Sequence, residues 1–218
     1  MNICVSYPGR MFGDFIRYFI GLHTGQIKKE NVKWEGWDSE YQWCFPLTGG
    51  PFLNHQPNRN IRIDLPVDAK GFLKLFEKRC PPPSTYVYKC NVRYLNTNHS
   101  IMDTPYYDVI NSLGHKVIFV KLDVLSDAGD IYLQRCKMAT GMVTADKKWH
   151  VDQARATNER EYPKNKLTHE LQVDKLIDCD DNEYHNLIKF VDTKPLENWK
   201  KIVIEYRDWV KKPLDNSI

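Results

Sequence analysis

Residues 2–25 read NICVSYPGRMFGDFIRYFIGLHTG, and the fold follows from how that stretch divides. Asn2-Ile3-Cys4-Val5-Ser6-Tyr7 is a short β-branched run, and Pro8-Gly9 ends it, because proline has no amide N–H to give to a ladder. Beyond the break, Phe15, Ile16, Phe19, Ile20 and Leu22 recur at three- and four-residue spacing, the period of one helix face. Asp14 is placed to cap that helix, and Gly25 to stop it in a left-handed conformation. The expected arrangement is a strand feeding a helix through the glycine-bearing turn Pro8–Gly13. Such a turn can aim several backbone N–H groups and the positive end of the helix dipole at an anion.

The same alternation continues along the chain. Asn60–Leu65 alternates like a strand, Ala69–Arg79 has helical spacing, and Pro81-Pro82-Pro83 ends it. Thr85–Val92 reads as a third strand, Asp103-Thr104-Pro105 opens a helix, and Leu113-Gly114 closes it. Lys116–Leu122 is the strongest strand signal. Helices are expected over Asp127–Met138, Ala145–Asn158, Asn182–Phe190 and Leu196–Val210, with a weak strand over Leu171–Ile177. Strands alternating with helices imply an α/β fold with a mainly parallel sheet flanked by helices. Ligands of such sheets bind beyond the carboxyl ends of the strands, so the loops after Tyr7, Val92 and Leu122 are the places to look.

At 218 residues, 42% of them hydrophobic, the chain has material for one substantial core, and we expect a single domain over 1–218. Residues 26–59 interrupt the alternation with an aromatic-rich insertion holding Trp34, Trp37, Tyr41, Trp43, Phe45 and Phe52. Leaving so many rings in water is costly, so the insertion is expected to pack as a flap over the strand ends. The 31 basic and 28 acidic residues nearly balance, which gives no electrostatic argument for a nucleic-acid or membrane surface. The six cysteines form neither a CxxC pair nor a zinc-spaced cluster, no apolar leader precedes the first strand, and no apolar stretch approaches a membrane span. The expectation from these features is a reduced protein of the cytoplasm.

Gly9 and Gly13 leave space for close approach of a phosphate, and Arg10 carries the fork that grips one bidentately. Gly13 is followed by Asp14-Phe15, so the lysine and hydroxyl of GxxxxGK[ST] are absent. A carboxylate at Asp14 would compete for the positive helix end that an anion seeks. The glycines also serve a turn, and His23 shares a helical side with Phe19, so each of these residues has a packing role open to it.

Tyr7-Pro8, the following Gly9-Arg10 and Gly13, and the run from Asp181-Asn182-Glu183-Tyr184 to Pro195-Leu196-Glu197-Asn198-Trp199 resemble the P-loop sulfotransferase-like proteins, especially small members encoded by bacteriophages. The resemblance implies a P-loop nucleotide-hydrolase-like fold. It also implies a cofactor, the donor 3′-phosphoadenosine 5′-phosphosulfate, held by Pro8, Gly9, Arg10 and Gly13, with Lys121 and Arg135 toward its 3′-phosphate. The implied activity moves a sulfuryl group to a small acceptor, without a metal. Lys89-Cys90-Asn91 stands where the family places a catalytic histidine, leaving His99 or His23 as substitute bases. Two other functions share the loop: a noncatalytic accessory or interaction protein, and a small-molecule or nucleotide kinase.

Overall fold

The computed structural model describes residues 2–7, 11–25, 87–91, 110–140 and 144–211. Four strands, β1 (Ile3–Tyr7), β2 (Val87–Asn91), β3 (Lys116–Lys121) and β4 (Thr168–Gln172), form one sheet in the order β2-β1-β3-β4. Every neighbouring pair is parallel, with Ile3 opposite Val87 and Lys116, and Val117 opposite Thr168. The expected α/β arrangement is therefore present, and Ile3-Cys4-Val5 lies beside Val117–Val120 as two buried neighbouring runs. A parallel sheet covered on both faces selects such continuous apolar strands.

Six helices accompany the sheet among the described residues, α1 (Gly13–His23), α2 (Asp127–Thr140), α3 (Thr144–Asn158), α4 (Val173–Ile177), α5 (Asp181–Val191) and α6 (Trp199–Lys211), together with the helical end at residues 110–112. Among the described residues no helix is long and apolar enough to cross a membrane. The core joins Ile3, Val5 and Tyr7 of β1 to Ile118 and Val120 of β3 and Leu171 of β4, under α1, α5 and α6. The opposite face of β3 carries Phe119, whose ring stacks on Tyr162 with centroids 4.1 Å apart and planes 9° apart.

α1 is the most enclosed helix. It packs on β1 and β2, and Phe15 stacks on Tyr206 of α6 at 4.0 Å. Phe15 to Leu22 are buried all round the helix, which explains why the sequence GDFIRYFIGLH keeps no broad polar face. Gly25, at φ +70, supplies the expected left-handed stop.

Two sequence expectations need correction. Asp14 does not occupy the N-cap of α1: Phe12 does, in the left-handed region at φ 57, ψ 6, and Asp14 falls inside the first turn. The strand expected over Leu171–Ile177 ends at Gln172, and Val173–Ile177 is the short helix α4. Val173, Leu176 and Ile177 are apolar at helical spacing and all buried, while Leu167 to Val173 carries the period-two alternation of the true strand. The Asn60–Leu65 strand, the Ala69–Arg79 helix and the aromatic insertion lie outside the described residues, as does the start of the helix expected from Asp103.

Candidate functional site at the carboxyl edge of the sheet

From β1 the chain moves to β2 on one side, then returns past β1 to β3 and on to β4. The direction of winding thus reverses between β1 and β3, and the crevice outside their carboxyl ends is where open α/β sheets place ligands. β1 ends at that crevice, and of the connection from β1 to α1 residues 11–13 are described, all buried. Phe12 takes a conformation costly for a residue with a Cβ, and Gly13 starts α1 directly against the Tyr7 ring. A Cβ at Gly13 would lie 2.0 Å from Tyr7 Cδ1 and Cε1.

The neighbouring strand ends are tied by side chains. Asn158, at the end of α3, accepts from Leu122 N–H at 2.8 Å and donates its amide back to the Leu122 carbonyl, so one side chain replaces a neighbouring peptide group. Asp174 accepts from Asp123 N–H at 3.1 Å, and Glu183 accepts from Gln172 N–H at 2.8 Å. Burial raises the Glu183 carboxyl pKa, and the hydrogen bond from Gln172 opposes that rise. These three polar groups satisfy backbone donors that the sheet leaves open where β3 and β4 end. Their sequence signal is weak, because each acts on a partner chosen by tertiary pairing.

Of the site residues expected from the sequence, Gly13 and Lys121 lie at this edge. Lys121 is 7% exposed; its Nζ lies 2.7 Å from Glu170 Oε2 and 5.2 Å from the centroid of the Tyr162 ring. Glu170 and Tyr162 were not legible as site residues, although the polar positions Thr168, Glu170 and Gln172 alternate in the manner of one strand face. Pro8, Gly9, Arg10 and His99 lie outside the described residues. Arg135 falls in α2 at a position whose side chain is likewise outside them.

His23 lies ten residues further along α1 than Gly13, roughly 15 Å down the helix axis and away from the turn. Its Nδ1–H donates to the Phe19 carbonyl at 2.7 Å. Its Nε2 therefore accepts, from the Tyr184 hydroxyl at 3.0 Å, and that hydroxyl in turn accepts from Leu196 N–H at 2.8 Å. Both ring nitrogens are thus engaged, Nδ1 within α1 and Nε2 across to α5, and the lone pair a general base would use is already occupied.

Burial lowers the pKa of His23, and it lowers that of His115 to about 4. Each folded-state value lies below the unfolded one, so the unfolded chain takes up protons first as pH falls. The associated stability is complete above about pH 6.5 and is lost on acidification toward pH 4. The raised carboxyl pKa values of Asp178 and Glu183 act in the opposite sense, so the histidine contribution is read by difference: acidification from pH 6.5 to 4.5 is expected to lower the melting temperature of the wild-type chain relative to that of His115→Gln. An identical pH response of the two proteins would contradict the neutral, buried assignment.

No protein-family model, curated protein or solved structure matches the chain.

Proposed function

We propose that the chain binds a phosphate-bearing nucleotide donor over the turn between β1 and α1 and transfers a sulfuryl group from it to a small acceptor. One observation supports the reading: the winding reverses between β1 and β3, so the end of β1 lies at the switch point of the sheet, with Arg10 between it and Gly13 in the sequence. The helix that starts there brings its positive dipole end to the same place. In the transfer, an acceptor oxygen bonds to sulfur as the bond from sulfur to the donor's phosphate oxygen breaks, and the acceptor's proton passes to a base. Negative charge gathers on the leaving phosphate, and Arg10 and Lys121 are the candidate cations to stabilise it. His99 is the candidate base.

A noncatalytic nucleotide-binding or interaction protein on the same fold is the second reading. The occupied His23 lone pair and the Lys121–Glu170 pair favour it, since both groups are already committed to protein partners.

Thermal melting with 3′-phosphoadenosine 5′-phosphate, compared with ATP plus magnesium, tests the donor site. At a hundred times its dissociation constant the bisphosphate is expected to add about 2.7 kcal/mol, or roughly 5–10 °C for a chain of this size. A response to ATP plus magnesium alone would point to a kinase, and no response to either would leave the interaction protein.

A further inference from the structure

Lys121 is a nearly buried cation at the carboxyl edge of the sheet. Its side chain is 9% exposed, against 31% for Glu170, and among the described residues its ammonium meets one oxygen, Glu170 Oε2. An ammonium has three N–H donors. The flat face below it is Tyr162, itself fixed by stacking on Phe119. The last paired residues of β1 and β3 are Ser6 and Phe119, so Lys121 stands two residues beyond them, level with the start of the turn after Tyr7. Lys121, Phe119 and Glu170 share one face of the sheet, as alternation and register require. Arg160 also acts electrostatically on Tyr162, although burial is the larger influence on that ring and raises its hydroxyl pKa.

We propose that the Glu170 carboxylate stands in for a ligand phosphate, and that the phosphate of a bound nucleotide displaces it from Lys121. This rests on the donor site proposed above. Lys121 and Tyr162 form the fixed half of the site, and Glu170, the more exposed partner, is the half that swings into solvent. A phosphomonoester brings nearly two negative charges and three acceptor oxygens, where the carboxylate brings one charge and two oxygens, so it can fill the remaining ammonium donors. The carboxylate weakens binding of every anion at Lys121, and a dianionic phosphoryl or sulfate group overcomes it more readily than a carboxylate or chloride does. The unliganded protein is in this sense closed by its own side chain.

The test is calorimetric titration of 3′-phosphoadenosine 5′-phosphate into the wild-type chain, Glu170→Gln, and the double variant Lys121→Met, Glu170→Gln. The double variant removes both charges at once, a replacement that buried ion pairs commonly tolerate. Glu170→Gln is expected to bind about tenfold or more tightly than wild type, because a like charge has been removed from the ligand's position. The double variant is expected to lose that gain. As a second readout, exchange of chloride for sulfate should raise the melting temperature of Glu170→Gln by more than that of wild type. The general stabilising effect of sulfate is common to both proteins and cancels in this difference. Equal or weaker binding by Glu170→Gln, with wild-type binding measurable, overturns the displacement and leaves the donor site standing. Absence of binding by all three folded proteins overturns both.

Discussion

Replacement of Gly13 by alanine is expected to destabilise the chain by about 3 kcal/mol, the upper part of the range for overpacking a filled interior. The added methyl would sit 2.0 Å from two atoms of the Tyr7 ring, and Tyr7 is 2% exposed, so the ring has no open space into which to retreat. Helix propensity alone predicts the opposite sign, since alanine is favoured over glycine by about 1 kcal/mol in a helix interior. Destabilisation would therefore isolate the contact with Tyr7. Urea unfolding measures it as a lower midpoint with little change in slope. Tyr7→Val made together with Gly13→Ala should cost less than the sum of the two single changes, because the smaller residue relieves the crowding. A neutral or stabilising Gly13→Ala would mean that the turn does not close against β1 as described.

The second large effect is expected at Tyr184. This residue stacks on Trp199 of α6 at 4.0 Å, meets Phe19 of α1 edge to face at 6.0 Å, and carries the hydroxyl that links Leu196 to His23. Truncation to alanine opens a cavity where three helices meet and should cost about 3–5 kcal/mol, the range found for large aromatic residues. Tyr184→Phe keeps the ring and removes only the hydroxyl. It leaves the Leu196 N–H and His23 Nε2 without that partner, for about 1–3 kcal/mol. Chemical unfolding of the two variants separates packing from hydrogen bonding, and equal losses would show that the ring contributes little to joining α1, α5 and α6.

The parts of this fold that were legible in the sequence are those where one residue period persists. Ile3–Tyr7 and Lys116–Lys121 are apolar without alternation because both faces of the sheet are covered, and α1 shows its helical spacing despite being buried all round. β4 was misplaced because its buried residue Leu171 is followed by Val173, Leu176 and Ile177, and an apolar run across a strand–helix junction hides the change of period. Phe12 was illegible for a different reason: nothing in an aromatic side chain announces a positive φ, and the Tyr7 ring that crowds Gly13 becomes visible only in three dimensions. The same holds at the site. Lys121 could be placed at a strand end from its own segment, but Glu170 and Tyr162 reach it through the pairing of β3 with β4 and the stacking on Phe119. Its neighbour Asn158 is likewise recruited from the end of a helix to complete a strand.

The central claim is that the turn between β1 and α1 holds a nucleotide phosphate, with Arg10 as its cation. Calorimetric titration of 3′-phosphoadenosine 5′-phosphate into the wild-type chain and into Arg10→Ala tests it most directly. Loss of a charge-assisted hydrogen bond of about 1.5–3 kcal/mol predicts binding weaker by roughly ten- to a hundredfold in a variant that melts as wild type does. Equal affinity of the two folded proteins for the bisphosphate would contradict the claim and reduce the turn to a corner between strand and helix.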